Sequence, residues 1–498
     1  KEVSINNLIC CIDAGTTSIK VALVQKDGQQ VSIASEMMPY HSDNRCQFNP
    51  EAVFDAVCCA IEKAIKSSPF PEECIKGLSI TGQRATIVPL DGNMAPSGSG
   101  VTWQDVTCER ASRSFYASLN DDQFITCTGL PEGTLWTISK IAGWKSGCYN
   151  WNRDSYYFAL LHDYLLLKFG APGLYTDHSN ASVTGLYDIQ KGCWSGEILE
   201  ALELHEDQLP VIASAGTSIG MISSDASKKS CLPAGTPLFV GAGDQQCATL
   251  GGGGISPGDD ILCLGAAGIL NCPVSKPVTG STQGVFCTAH ALGGLWVMES
   301  IHNSFGTSGD WAADILGLKD RDSLSEIGKS ASAGSSGLLF LPFLAGIGSP
   351  DFDASARGAF VGLSMNHCRA EIANAVLEGV ALEMRRILDS VAPCRTGNII
   401  KIVGGRSRQH QTIQTLADIT GQELLILNTG ETTILGLAAL LWTGLGVYSN
   451  ITKAMVKMAA QIEARIVPNS TLAFESVYRR YLKCVRLIRD VPPFEGRE

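Results

Sequence analysis

The sequence predicts a mixed α/β protein made of two related domains, and three observations lead to this expectation. Its 498 residues are too many for one compact core. A unit of strand, small-residue loop and strand begins near residue 8 and recurs near residue 260. Strand-like segments are also followed by stretches with a helical apolar period, such as 370–391. We therefore expect one domain over residues 1–252 and a second over residues 253–498.

The first unit covers residues 8–24, with two apolar runs on either side of the loop DAGTTS at 13–18. The dipeptide Asp27-Gly28 is typical of a hairpin turn and predicts a third strand after it. Residues 50–66 have the composition of a helix, and residues 76–90 predict a strand with a loop.

The second unit has an apolar run at 260–264, the small residues GAAG at 265–268 and renewed strand character at 269–272. The glycine run at 251–254 comes just before it and predicts a hinge between the halves. Each half is therefore expected to present one backbone loop.

The overall composition disfavours several classes of partner. The formal net charge is −11 and the sequence contains no run rich in Lys and Arg, whereas nucleic acids and anionic membranes require clustered cations. No stretch approaches about 18 consecutive apolar residues, so we expect no membrane span. The beginning of the sequence lacks the apolar core of a secretory signal.

The chain has 18 cysteines, but their placement does not indicate a disulfide framework. Cys10-Cys11 and Cys58-Cys59 are adjacent pairs inside apolar segments, and no spacing typical of a zinc site occurs. We expect reduced, mostly buried thiols and a cytoplasmic location.

Residues 13–20 combine a carboxylate, a glycine turn, hydroxyls and Lys20. Backbone amides and hydroxyls of such a loop bind phosphate oxygens, and a carboxylate binds the water shell of Mg²⁺. The motif is not a Walker A loop, because no Gly-Lys-Ser/Thr closes it. The alternative is an ordinary hairpin rich in threonine.

Asp244 follows an apolar run and the glycines of Gly241-Ala-Gly, which predicts a carboxylate at a strand end. Such a group accepts the proton of an attacking hydroxyl, although a helix-capping Asp is the alternative. The turn GGRSR at 404–408 has no Cβ to obstruct a nucleotide at its glycines. Gln83-Arg84 and Trp103-Gln-Asp105 supply donors, acceptors and an apolar wall, as polyol recognition requires.

The order of these motifs along the chain resembles the FGGY carbohydrate kinase family, which includes glycerol kinases, xylulokinases, gluconokinases and sedoheptulokinases. The family's C-terminal signature is matched across its full spacing by GAFVGL at 358–363, seven residues, and EIANAVLE at 371–378. Further segments that resemble the family are 177–188, 353–358 and 431–439.

The resemblance implies two ribonuclease-H-like (actin-like ATPase) domains with ATP and Mg²⁺ in the cleft between them and a small sugar or polyol as the other substrate. We expect neither a nucleic acid nor a membrane as a partner, and we consider a homodimer as the assembly. Asp13 would hold Mg²⁺ through water, and Asp244 would be the catalytic base. The phosphate and nucleotide contacts would be Thr16, Thr17, Lys20, Gly265, Gly268, Gly404 and Gly405. The substrate contacts would be Gln83, Arg84, Trp103, Asp105, Asp244 and Gln245.

The chain departs from the family pattern at three places. Ala266-Ala267 replaces the usual Thr or Ser of the second phosphate loop, so phosphate contact there must rely on backbone N–H groups. Arg406 replaces the third glycine of the adenine loop, where we expect it to stack on the base or cover the site. Trp144 is shifted by one position relative to Lys140 in the N-terminal signature.

The substrate prediction depends on GQRAT at 82–86, a hybrid of the glycerol kinase and xylulokinase patterns. Ala85 replaces the Glu that binds glycerol, and Leu135 replaces a substrate Tyr, so a larger ketose or a sugar alcohol is favoured. The alternatives are a glycerol kinase with an altered site and a non-catalytic sugar-sensing relative. The presence of Asp13, Thr17 and Asp244 favours catalysis.

Overall fold

The computed structural model describes residues 7–44, 46–119, 121–153, 156–280, 284–406, 410–428, 431–458, 460–469 and 472–489. Residues 407 and 408 of the adenine-loop motif lie outside this set.

The first half of the chain supplies strands β1 to β14 and helices α1 to α9. The strands are β1 Leu8–Ala14, β2 Ser18–Val24, β3 Gln30–Met37, β4 Gln47–Phe48, β5 Ile75–Gly82, β6 Ile87–Leu90, β7 Gly100–Val101, β8 Tyr157–Leu160, β9 Tyr175–Asp177, β10 Tyr187–Asp188, β11 Cys193–Trp194, β12 Val211–Ala213, β13 Ser218–Met221 and β14 Pro237–Phe239. The helices are α1 Pro50–Ser67, α2 Glu109–Tyr116, α3 Asp121–Thr128, α4 Thr137–Lys145, α5 Leu161–Phe169, α6 His178–Ser182, α7 Gly196–Ala201, α8 Ser224–Ser230 and α9 Asp244–Gly251.

The second half supplies the later elements. Its strands are β15 Asp260–Leu264, β16 Gly268–Val274, β17 Phe286–Ala289, β18 Trp296–His302, β19 Leu339–Leu341, β20 Ala359–Val361, β21 Ile399–Val403, β22 Glu423–Leu427 and β23 Ile462–Ile466. Its helices are α10 Phe305–Ile315, α11 Arg321–Gly328, α12 Arg369–Val391, α13 His410–Thr420, α14 Thr432–Gly444, α15 Ile451–Met458 and α16 Glu475–Arg489. Short 3₁₀ turns lie at Glu72–Cys74, Glu206–Gln208, Ser335–Gly337, Ala392–Cys394 and Leu472–Phe474.

The first sheet has the strand order β13-β14-β5-β1-β2-β3. Strands β1, β2 and β3 form an antiparallel meander, whereas β5 and β14 run parallel to β1. The predicted Asp27-Gly28 turn joins β2 to β3, with Gly28 at φ +88°. Helix α1 covers β2 and β3 after Asn49, whose side chain accepts a hydrogen bond from the backbone N–H of Glu51.

The second sheet has the order β17-β18-β16-β15-β21-β22-β23 and repeats the first design. Strands β15, β16 and β18 form the antiparallel meander, and β21 and β22 run parallel to β15. In both sheets an antiparallel edge strand, β13 or β23, lies beside the last parallel strand. The two related halves expected from the sequence therefore have similar sheets, with β17 as an additional strand in the second. The boundary at residues 252 and 253 stays a prediction.

Helix α14, from the second half of the chain, packs on the first sheet. It contacts α9, β1 and β5, and its buried residues Ile434, Leu437 and Leu441 join a core with Ile9 of β1. A Cβ at Gly436 would overlap the carbonyl oxygen of Cys247 on α9. The end of the chain therefore returns to the helix that begins at Asp244.

We expect Gly436→Ala to lower the free energy of unfolding by about 1–3 kcal/mol, because the added methyl group overpacks the α9–α14 contact. Gly196→Ala, at a helical glycine with no heavy atom within 4 Å of a new Cβ, is the control and should stay within about 0.5 kcal/mol of the parent. Equal unfolding midpoints in urea for the two variants would contradict this packing.

Candidate active site

The carboxyl ends of the three parallel strands of the first sheet lie side by side. Asp13 of β1 is in register with Thr81 of β5, and Gly82 pairs with Gly243 after β14. The residues that follow these strands, including Gln83, Arg84 and Asp244, are therefore brought to one edge of the sheet. The structure thus places together groups as far apart in the sequence as Asp13 and Asp244, which are separated by 231 positions.

Asp244 is the first residue of α9, where the helix dipole favours a negative charge. Its Oδ1 accepts a hydrogen bond from the backbone N–H of Gln245 at 2.7 Å, and the Nε of Arg84 lies 3.4 Å away. Burial raises the pKa of this carboxyl group, while the Arg84 guanidinium opposes the shift. Its side chain keeps 26% of its surface exposed, so a substrate can reach it.

The loop before Asp244 is fixed by buried polar side chains. The backbone N–H of Gly243 donates to the Oγ of Ser179 at 2.9 Å, and this hydroxyl donates to Asp177 at 2.6 Å. The backbone N–H of Gly241 donates to the Nε2 of His162 at 3.2 Å. The segment at 177–188, which resembles the family, thus begins with a residue that positions the Asp244 loop.

Asp13 has a buried Oδ1 with no hydrogen-bond partner in the protein. Burial and the nearby Asp244 raise its pKa to about 7, while Lys20 acts in the opposite direction. A cation beside this oxygen would satisfy it, so the residue fits the Mg²⁺ role given to it. Among the described residues no group of three or more His, Cys, Asp or Glu side chains forms a metal cage. Water molecules and phosphate oxygens would therefore supply most of the ligands of a metal at Asp13.

Lys20, the cation of the predicted first phosphate loop, forms an ion pair within the protein. The Nζ of Lys20 lies 2.9 Å and 3.0 Å from the two carboxylate oxygens of Glu431, the residue before α14. The carbonyl oxygen of Thr16 accepts a hydrogen bond from Tyr40, and Thr17 is exposed. Lys20 therefore joins the loop to the second half of the chain, a contact that the sequence did not reveal.

The predicted sugar residues differ in how many of their polar atoms are free. Both side-chain polar atoms of Gln83 are buried without a hydrogen-bond partner, and so is the Oε1 of Gln245. The indole N–H of Trp103 donates to the Oγ1 of Thr16 at 3.3 Å. Asp105 instead accepts hydrogen bonds from Thr107 and from the Tyr149 hydroxyl, so its carboxylate stabilises its own loop.

The predicted second phosphate loop lies between β15 and β16. The carbonyl oxygen of Ala266 accepts hydrogen bonds from the backbone N–H groups of Gly306 at 2.7 Å and Thr307 at 3.2 Å, both at the start of α10. At Gly404, φ is +98° and a Cβ would lie 2.5 Å from the carbonyl oxygen of Leu264, so only glycine fits. A Cβ at Gly405 would have no heavy atom within 4 Å of it.

Arg406 has a different partner from the one expected. Its guanidinium pairs with both carboxylate oxygens of Asp310 on α10, at 3.0 Å and 2.6 Å. This hydrogen bonding lowers the pKa of Asp310 to about 2. The pairing links the adenine-loop motif to α10, so Arg406 is engaged by a carboxylate of its own half.

Sequence reasoning missed Glu299, a fully buried acid on β18. Its carboxylate accepts two hydrogen bonds from the terminal nitrogens of Arg84, each at 2.7 Å. The one available signal was a single acidic residue within an otherwise apolar strand. Its partner is 215 residues away in the sequence, so the pairing could not be inferred from the pattern.

The comparisons with known proteins identify the family. The N-terminal domain model of the FGGY family of carbohydrate kinases matches residues 8–251, and the C-terminal domain model matches residues 270–444. The chain belongs to the FGGY family. It is therefore an ATP-dependent carbohydrate kinase, as its sequence resemblance implied.

This FGGY kinase is similar to relatives with different names. It is 27% identical over 450 residues to a gluconokinase of Bacillus subtilis, covering 85% of each chain. It is 25% identical over 479 residues to a xylulose kinase of Staphylococcus epidermidis, covering 94% of this chain and 93% of the relative. A solved xylulose kinase structure from Lactobacillus acidophilus has a TM-score of 0.90 at 23% identity, covering 97% and 99% of the two chains. The predicted actin-like fold class is confirmed.

Other predictions concern the chain as a whole. No helix among the described residues is both long and apolar enough to cross a membrane. The cysteines are all free thiols, as expected. Only eight of them are buried, while six are half-buried and four are exposed, so the expectation that they are mostly buried is wrong.

Lys140 of the FGGY kinase is a fully buried amine on α4 that the sequence singled out only as a signature residue. Its Nζ donates hydrogen bonds to the carbonyl oxygens of Trp103, at 3.2 Å, and of Thr134. It therefore ties together two loops that carry predicted sugar-site positions. Burial lowers its pKa from the usual 10.5 to about 8.

We expect the free energy of unfolding of the parent, minus that of Lys140→Met, to increase between pH 8 and 10.5. The pKa of Lys140 is lower in the folded chain, so the unfolded chain binds more protons in this window and loses them as pH increases. The rise should be on the order of 3 kcal/mol. Urea unfolding of both proteins across the window measures it, with Lys145→Met on the same helix as the control for losing a lysine. A constant or falling difference would contradict the buried cation.

Proposed function

We propose that this kinase transfers the γ-phosphoryl group of ATP to a hydroxyl of a ketose, such as a pentulose or heptulose, or of a sugar alcohol, with Asp244 as the general base. The observation that carries the proposal is the position of Asp244. It is a partly exposed carboxylate at a strand end, with a raised pKa, beside unpaired polar atoms of Gln83 and Gln245.

In the proposed reaction the substrate hydroxyl donates its proton to a carboxylate oxygen of Asp244 as its own oxygen bonds to the γ-phosphorus. The bond from that phosphorus to the β,γ-bridging oxygen breaks, and ADP leaves with those electrons. A raised pKa suits this role, because a base accepts a proton more readily as its pKa approaches the working pH. The unpaired amides of Gln83 and Gln245 would fix the orientation of the sugar.

We propose Asp13 as the residue that holds Mg²⁺ through a water molecule. When bound, the ion supplies positive charge that neutralises the β- and γ-phosphate oxygens. The unpaired, buried Oδ1 of Asp13 supports this assignment, since an uncompensated carboxylate oxygen at this depth is otherwise costly. We propose that Gly265, Gly268, Gly404 and Gly405 line the nucleotide's phosphates and base, and that Thr16, Thr17 and Lys20 line the first phosphate loop.

The preference for a larger substrate rests on two small or apolar residues. Ala85 is buried and cannot hydrogen-bond a short polyol, and Leu135 supplies only apolar surface. A site without partners for the hydroxyls of glycerol discriminates poorly in favour of it. The names of relatives do not decide between the substrates, since a gluconokinase, xylulose kinases and glycerol kinases are all 25–27% identical to this chain.

Two alternatives remain as hypotheses. A glycerol kinase with an altered site would share Arg84 and the run Trp103-Gln-Asp105 with that subfamily but would lack the carboxylate that Ala85 replaces. A non-catalytic sugar sensor would have no need to keep both Asp13 and Asp244 as desolvated carboxylates at the same sheet edge. This retention of two costly groups favours catalysis.

We expect Asp244→Asn to lower kcat by about 10² or more while leaving the KM for the sugar nearly unchanged, because the amide cannot accept the proton. Steady-state kinetics with ADP release as the readout measures this effect. Asp259→Asn is the control. Asp259 pairs with Lys401 and lies just before β15, whereas the proposed phosphate loop lies after the other end of that strand. Turnover that stays at the parent level would remove Asp244 from its role.

We expect a pentulose or heptulose to have a higher kcat/KM than glycerol in a panel of ketoses, sugar alcohols, gluconate and glycerol. The physical reason is the pair Ala85 and Leu135, which leaves volume and no donors where a short polyol needs them. Highest kcat/KM on glycerol would overturn this interpretation, and no turnover of any compound would favour the sensor.

A further inference from the structure

The carboxylate of Glu299 joins the two halves of the kinase at the base. Glu299 lies on β18 of the second sheet and is fully buried. Arg84 follows β5 of the first sheet, and both of its terminal nitrogens donate to the Glu299 carboxylate at 2.7 Å. This two-point geometry is the strongest form of an Arg–carboxylate contact.

Two further donors complete the surroundings of Glu299. The side-chain amide of Gln246 donates to Glu299 at 2.8 Å, and the hydroxyl of Thr288 donates to the same oxygen. Gln246 lies on α9, two positions after Asp244. The Glu299 carboxylate therefore accepts hydrogen bonds from two neighbours of Asp244. One is Arg84, which follows β5, and the other is Gln246, which lies on the same helix as Asp244.

The orientation of Arg84 leaves only one edge of the guanidinium toward the base. Its Nε is 3.4 Å from the Oδ1 of Asp244, which is longer than a good charge-assisted hydrogen bond. A guanidinium released from Glu299 has both terminal nitrogens available as donors, and a free carboxylate within reach is their best partner. Such a pair would cover the oxygen that must accept the substrate proton.

We propose that Glu299 is a positioning residue that restrains Arg84 so that the guanidinium stays beside Asp244 without capturing it. The second half of the chain thus keeps the base of the first half available to substrate. This inference rests on the proposed role of Asp244 as the base. It also assigns Arg84 a partner that competes with direct sugar contact through its terminal nitrogens.

Other titratable groups also face Asp244 and belong in the interpretation of any pH profile. They are Asp13 on β1, Cys247 on α9 and Cys263 on β15, in addition to Arg84 and Glu299. Asp13, Cys247 and Cys263 are unchanged in the variants below, so their contributions are common to all of the profiles.

The test measures kcat and KM from pH 5 to 9 for the parent, Glu299→Gln, Arg84→Gln and the double variant, with saturating ATP and Mg²⁺. In Glu299→Gln we expect the kcat plateau to fall about tenfold or more. We also expect the acidic limb of its profile to move to lower pH, because Arg84 then pairs with Asp244. Adding Glu299→Gln to Arg84→Gln should change neither the plateau nor the limb, since the effect passes through Arg84.

Glu378→Gln is the matched control, because Glu378 is a buried acid of the second half whose carboxylate accepts hydrogen bonds from Gly334, Ser335 and Asn374. Its pH limb should coincide with that of the parent. Thermal unfolding of every variant accompanies the kinetics, and the double variant removes both buried charges if Glu299→Gln alone fails to fold. A shift of the limb in the double variant relative to Arg84→Gln would then overturn the proposal.

The outcomes separate the two claims. If Asp244→Asn keeps its turnover, the assignment of the base fails whatever Glu299 does. If Asp244→Asn loses its turnover while Glu299→Gln keeps the parent's acidic limb, the positioning role fails and the base stands. If the losses of kcat in Arg84→Gln and Glu299→Gln add up in the double variant, and the acidic limb does not move, Glu299 contributes to stability alone.

Discussion

The arrangement of the site depends on the parallel alignment of β1, β5 and β14. In a parallel group, every strand ends at the same edge of the sheet, so the loops that follow are forced to be neighbours. This constraint sets Asp13, the pair Gln83-Arg84 and Asp244 beside one another. It also couples their electrostatics. Burial raises the pKa values of both carboxyl groups, and the Asp244 charge adds to the rise at Asp13, while Lys20 opposes the rise at Asp13 and Arg84 opposes it at Asp244.

The second sheet repeats this geometry and contributes in two ways. Its own parallel strands end in the loops at Gly265 and Gly404, which we propose as the second half's contribution to the nucleotide site. Its meander strand β18 also supplies Glu299 to the first half, and the residue before α14 supplies Glu431 to Lys20. These two ion pairs thus join the halves beside the proposed substrate and phosphate residues, which suits a cleft whose closure excludes water.

Much of this could be predicted from the sequence because local patterns determine strand ends. An apolar run followed by glycine and a polar residue locates Asp13 and Asp244, and the recurrence of such a unit near residue 260 indicated two halves of similar topology. The glycine requirement at 404 also has a local cause, since its φ of +98° is a property of one turn.

The remaining features depend on long-range pairing that periodicity cannot reveal. Nothing near Lys20 specifies that Glu431 will neutralise it, and nothing near Arg406 distinguishes Asp310 from a nucleotide base as its partner. Asp105 stays a predicted substrate contact, and the hydrogen bonds that its carboxylate accepts from Thr107 and Tyr149 could not be foreseen from its residue type. The substrate itself is decided by the sizes of side chains such as Ala85 and Leu135, and these act through volume and not through a motif.

The most direct test of the central claim is a crystal structure of the kinase with Mg²⁺, a non-hydrolysable ATP analogue and its best sugar substrate. The account predicts one sugar hydroxyl within about 3 Å of an Asp244 carboxylate oxygen and in line with the γ-phosphorus. It also predicts the metal's water shell against Asp13. A sugar bound with every hydroxyl remote from Asp244, or an Asp244 turned away from the γ-phosphate, would contradict it.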